Sequence, residues 1–95
     1  MKLVTLDFET YYDKDYSLSK MNTIEYVTDE RFKAHGVSIQ INDGAPLYFT
    51  GDAMASALRA ALDEPCTLLC QNTKFDGFIL HHHYGLYPTR YADTR

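Results

Sequence analysis

Leu3-Val4-Thr5-Leu6-Asp7-Phe8-Glu9-Thr10 decides how this chain is read. Leu3 to Leu6 is a short apolar, partly β-branched run of the kind found in a strand buried on both faces. Two carboxylates follow at i and i+2, a spacing that places Asp7 and Glu9 on one face of a strand and turns Phe8 to the other. Side-by-side anions at the end of a buried strand repel each other and lose hydration, which calls for a compensating cation. A strand that simply ends in a polar loop is the plain alternative, because D-x-E alone is a weak motif.

Working outward, 95 residues make one domain at most, with a modest core. Hydrophobic content of 45% and charged content of 23% are ordinary for a globular protein. No apolar run reaches bilayer length and no signal peptide precedes the first strand, so the expectation is a cytoplasmic protein with no membrane partner. A formal net charge of -4 excludes a global basic field that would draw in nucleic acid; any such contact must be local or metal-mediated. Cys66 and Cys70, four residues apart on an extended run, would lie about 13 Å apart, too far to bridge. They read as buried thiols, and neither spacing nor ligand number suggests zinc.

Tyr11 to Ser17 lacks a period and reads as a loop. Asn22 or Thr23 caps a short helix through Glu25, Tyr26 and Val27 that fades near Asp29, and Phe32 anchors the return. Val37, Ile39 and Ile41 alternate with polar residues as a half-buried strand. Asn42-Asp43-Gly44 turns the chain into a second strand around Leu47 and Phe49, and Pro46 gives that strand an edge position. Met54, Leu58, Ala61 and Leu62 form one helical stripe that Asp52 is placed to cap, and Asp63-Glu64-Pro65 ends it. Cys66 to Cys70 fits a central strand parallel to the first. A last helix runs from about Lys74 to Tyr84, closed by Gly85, and residues 89–95 begin a further strand.

Asn72-Thr73-Lys74-Phe75-Asp76 opens that last helix. Thr73 and Asp76 have capping-box spacing, which by itself accounts for both. Topology adds a second meaning: a helix following a strand parallel to the first starts at the sheet edge that holds Asp7 and Glu9, where ligand sites of α/β sheets gather. Three hard carboxylates at one spot suit Mg²⁺ or Mn²⁺. His81-His82-His83 point roughly 100° apart on a helix and cannot close on one ion. His83 shares a face with Asp76 but lies about 10 Å along the axis. All three, and His35 in a loop, read as packing or surface residues. Tyr11, Tyr12 and Tyr16 offer base stacking, although aromatic packing of the loop explains most of them.

Leu6-Asp7-Phe8-Glu9-Thr10 resembles the first motif, D-x-E, of the DEDD-type proofreading 3′–5′ exonucleases, which have four acidic metal ligands on a ribonuclease-H-like fold. Asn72 to Asp76 is similar to their second motif, an Asn followed by an aromatic-Asp pair. The segment from Tyr11 to Gly51 and the closing Asp93-Thr94 resemble, in particular, the exonuclease domains of bacteriophage family A DNA polymerases. The family's third motif, an Asp preceded four or five residues earlier by Tyr or His, is not matched. Tyr91 and Asp93 are two apart, and Arg95 stands where a motif based on Tyr91 would place its Asp. The resemblance therefore covers the N-terminal part of such a domain.

The expectation is an α/β, ribonuclease-H-like mixed sheet, an antiparallel hairpin plus a parallel strand with flanking helices, truncated and uncovered on one face. The resemblance implies two-metal hydrolysis of phosphodiesters at DNA 3′ ends, with Asp7, Glu9 and Asp76 as metal ligands and catalytic residues. Thr10, Phe8, Asn72 and Phe75 would lie toward a single-stranded DNA end, and the remainder of a polymerase would be a partner, in a bacterial or phage-infected cell. With the third motif missing, activity is expected to be weak. Two alternatives stay open: a non-catalytic module that binds nucleic acid or a partner chain through the same cleft, and a small single-metal phosphoesterase.

Overall fold

The computed structural model describes residues 2–70, 73–88 and 90–93. Its first strand, β1 (Lys2–Thr10), runs through the middle of a five-stranded mixed sheet. In chain order follow α1 (Thr23–Thr28), β2 (Ala34–Ile41), β3 (Leu47–Phe49), α2 (Ala53–Ala61), β4 (Cys66–Cys70), α3 (Thr73–Ile79), a π-helical turn (Leu80–Tyr84) and β5 (Arg90–Asp93). The strands lie in the order β3-β2-β1-β4-β5. β2 pairs antiparallel with both β1 and β3, while β4 is parallel to β1 and β5 is parallel to β4.

Alternation along β1 separates core from surface. Val4, Leu6 and Phe8 are buried, whereas Leu3 and Thr5 are half-buried and Asp7 and Glu9 are exposed. An open face is what the resemblance implies for the sheet, although the Leu3–Leu6 run by itself suits a strand buried on both faces. The β-branched and leucine run before Asp7 satisfies one face only, and its odd-numbered members look out from an uncovered side. Register carries the same division across the sheet: Val37 lies opposite Phe8, Ile39 opposite Leu6, and Leu68 beside Val4. All of these belong to one buried cluster with Tyr26 and Val27 of α1, Met54, Leu58 and Ala61 of α2, and Ile79 of α3. The described helices thus bury their apolar residues on a single face.

Local signals account for most boundaries. The Asn22 side chain accepts from the Glu25 amide at 2.8 Å, and Glu25 accepts in turn from the Asn22 amide at 3.1 Å. This closes a capping box at the start of α1. Asn42, with a positive φ of 51°, turns the hairpin, and its Oδ1 accepts from the Leu3 amide at 2.9 Å. β3 is the edge strand on that side. Asp52 precedes α2 with helical backbone angles and no side-chain capping bond. An N-cap needs an extended conformation to aim its carboxylate at the next amides, so the expected cap does not form there. Gly85 adopts the left-handed conformation that ends the last helical segment, as expected, but the segment's final turn is π- rather than α-helical.

His35, expected in a loop, starts β2. Cys66 and Cys70 are both buried thiols. No helix among the described residues is long and apolar enough to cross a membrane.

Candidate functional site

The carboxylates of Asp7 and Glu9 emerge from the carboxyl-terminal half of β1 on the uncovered face. Asp7 lies opposite Ser38 and Glu9 opposite Gly36, so the strand that flanks them presents a small hydroxyl residue and a bare backbone. Among the described residues, the side chains that β1, β2 and β3 send to this face around the pair include no Lys or Arg. Neither carboxylate takes part in an ion pair there. Two like charges on neighbouring same-face positions, with no cation from these three strands among the described residues, create a local negative potential that solvent and ions screen.

Just beyond the pair the ladder shifts: Glu9 matches Gly36, but Thr10 matches Ala34, leaving His35 as the extra residue of a bulge. Thr10 is half-buried, and its hydroxyl lies 3.0 Å from the Tyr26 hydroxyl. Tyr26 also donates to the Tyr11 carbonyl. The Tyr26 ring stacks on Tyr16 with centroids 4.5 Å apart, and the Tyr16 hydroxyl donates to the Tyr26 carbonyl at 2.5 Å. The loop tyrosines thereby clamp the end of β1 to α1. Burial pushes the Tyr16 phenol up to about 12, with further upward pressure from Tyr26 and Asp29 and a smaller downward one from Arg31. Arg31 sits 4.7 Å over the Tyr16 ring and bonds Asp29 at 2.9 Å, which holds that carboxyl down at about 2.

The remaining predicted site residues divide. Asp76 is 4% exposed in the first turn of α3, a buried carboxyl rather than an open one. Phe8, which the resemblance puts toward substrate, is 7% exposed and packs into the core beside Tyr84, centroids 6.2 Å apart. The strand's period of two turns it away from Asp7 and Glu9, so that assignment is corrected. Phe75 is half-buried, with its ring 5.9 Å from that of Tyr26. Asn72 lies outside the described residues, as does the Thr73 side chain of the expected capping box. Of the histidines, His83 Nε2 lies 2.8 Å from the Val27 carbonyl and its ring stacks on Phe32 at 4.4 Å, a packing role as expected.

Among the described residues, no group of three or more His, Cys, Asp or Glu side chains is arranged to hold a metal ion. The donor set of Asp7 and Glu9 suits a hard divalent cation in kind, with fewer ligands than a closed site supplies. A cavity of about 520 Å³ exists elsewhere, between α2 and the hairpin, lined by Lys2, Ile39, Phe49 and Ala57 among others. Lys2 stands five residues before Asp7, about 17 Å along the strand, so this cavity is not the carboxylate site.

A residue that the alternation alone did not single out stands beside the pair. Tyr48 of β3 lies opposite Ser38, hence on the carboxylate face, and is 57% exposed. Its ring leans over Gly36, where an added Cβ would collide with the phenol oxygen and lie 2.9 Å from Cε1. The isolated glycine within a strand pattern was the sequence signal for this close approach.

No protein-family model matches the chain, and comparison with curated proteins and with solved structures gives no match either.

Proposed function

We propose that this chain forms the N-terminal portion of a 3′–5′ exonuclease-like domain on a ribonuclease-H-like fold, acting on phosphodiesters at DNA 3′ ends. The observation that carries this reading is the exposed Asp7–Glu9 pair. It sits on the uncovered face of a mixed sheet, toward the carboxyl end of the strand through its middle, and among the described residues neither carboxylate is in an ion pair. An antiparallel hairpin beside parallel strands, with α3 following β4, agrees with the sheet that the two motifs imply. A divalent ion bound there, Mg²⁺ or Mn²⁺, supplies Lewis acidity toward phosphate oxygen and lowers the pKa of water.

The chain's own residues do the rest. Asp7 and Glu9 contribute hard oxygen ligands, Asp76 opens the neighbouring helix, and the Thr10–Tyr26 contact holds the end of β1 in place. Full activity requires a further carboxylate and a water-orienting Tyr or His from outside these 95 residues, and the reading implies a cytoplasmic setting in a bacterial or phage-infected cell. Mn²⁺ titration followed by calorimetry or paramagnetic line broadening tests the site. Weak binding lost in Asp7→Ala is expected; unchanged binding in that variant would sink the assignment. A second reading, a non-catalytic module that binds nucleic acid on the same face, is favoured by the absence of a three-ligand group among the described residues. Metal-dependent turnover after addition of a segment carrying the third motif separates the two.

A further inference from the structure

We propose that Tyr48 is a substrate-contacting residue of the Asp7–Glu9 site, its hydroxyl donating a hydrogen bond to a phosphate oxygen of a single-stranded DNA end. The inference rests on the exonuclease reading above. A phosphodiester approaching two carboxylates needs donors as well as a cation, and around the pair β1, β2 and β3 offer no Lys or Arg among the described residues. The donors that these three strands supply are therefore neutral ones. Tyr48 is placed for this: it belongs to the cross-strand row Asp7–Ser38–Tyr48, and its phenol leans diagonally toward Gly36, the register partner of Glu9. The hydroxyl thus lies over β2, one strand spacing, about 5 Å, from the strand that carries Glu9.

Two further features separate this from ordinary surface packing. The residue is more than half exposed, yet its ring sits where only a glycine leaves room beneath it. The hydroxyl also has no hydrogen-bond partner among the described residues, in contrast to Tyr11, Tyr16 and Tyr26, whose hydroxyls are all engaged. An O–H donor to a charged phosphate forms a strong class of hydrogen bond and adds no repulsion toward the cation beside it.

The test is equilibrium anisotropy of a 5′-labelled single-stranded oligonucleotide with the full chain in Mn²⁺, comparing Tyr48→Phe, Asp7→Ala and the unmodified protein. Tyr48→Phe keeps the ring over Gly36 and deletes only the donor. About tenfold weaker DNA binding is expected, with unchanged Mn²⁺ affinity and melting temperature. Equal DNA binding by Tyr48→Phe, while Asp7→Ala still weakens it, overturns the role of Tyr48 and leaves the exonuclease reading standing. A parallel loss of Mn²⁺ affinity or stability in Tyr48→Phe also overturns it, because the phenol then acts through the fold. DNA binding that is absent, or indifferent to Asp7→Ala, overturns the exonuclease reading and this assignment with it.

Discussion

Replacing Tyr16 by Phe removes one oxygen from the clamp at the end of β1 and leaves the ring in place. That ring is fully buried and stacks on Tyr26 at 4.5 Å, so packing is retained. What is lost is the 2.5 Å bond to the Tyr26 carbonyl. That carbonyl lies in the last turn of α1, where helix carbonyls lack an intrahelical partner. A buried acceptor left unpaired costs about 1–3 kcal/mol. For a domain of this length total stability is on the order of 5–14 kcal/mol, so the loss is a sizeable fraction. It should lower the melting temperature by roughly 5–20 °C. Urea unfolding followed by circular dichroism measures it at neutral pH.

The alkaline limb gives an independent check. Tyr16 titrates at about 12 in the folded protein against an ordinary value near 10, so the fold favours its neutral form. Its contribution is complete below pH 10 and is lost as pH rises from 10 through 12. The stability gap between the unmodified protein and Tyr16→Phe should therefore narrow over that window. A gap within about 0.5 kcal/mol at neutral pH, or parallel pH profiles from 9 to 12, would refute the clamp.

Asp7→Asn should stabilise the metal-free protein at low ionic strength by a few tenths of a kcal/mol, roughly the scale of a like-charge strand contact. The gain should vanish in 1 M salt, and an equal gain there would show that charge repulsion is not the cause. Asn22→Ala should cost about 1 kcal/mol by opening the capping box of α1, as read by thermal unfolding; no measurable loss would show that the cap is idle. Incubated with labelled single-stranded DNA and Mn²⁺, the 95-residue chain should degrade little of it, since positioning and charge neutralisation both lack the third motif. Robust turnover abolished by Glu9→Ala would mean that the missing motif is dispensable.

Periodic elements were legible in the sequence because one side chain type repeats on one face. Val37 and Ile39, Met54 and Leu58, and Cys66 to Cys70 all occupy elements of the expected kind. The hairpin was equally plain from Asn42-Asp43-Gly44. What escaped were features decided by partners distant in sequence. Nothing local tells a strand covered on both faces from one covered on a single face, since Leu3 and Thr5 suit either. The Asp52 cap failed on backbone angles that composition does not report. The Tyr48 seat depends on two strands meeting at Gly36. At the site, the shared face of Asp7 and Glu9 followed from spacing alone, whereas the burial of Asp76 depends on how α3 settles against the sheet.

The alternation of β1 has a consequence for how the chain finds its register. Sliding β1 by a single residue against β2 would exchange its two faces, sending Asp7 and Glu9 inward and Val4, Leu6 and Phe8 to water. Interior burial of two unpaired anions costs several kcal/mol each, far more than an apolar mismatch. The pair therefore acts as a proofreader of assembly before any substrate arrives: a misaligned sheet is expelled by its own carboxylates, and the central strand settles where its acids stay wet.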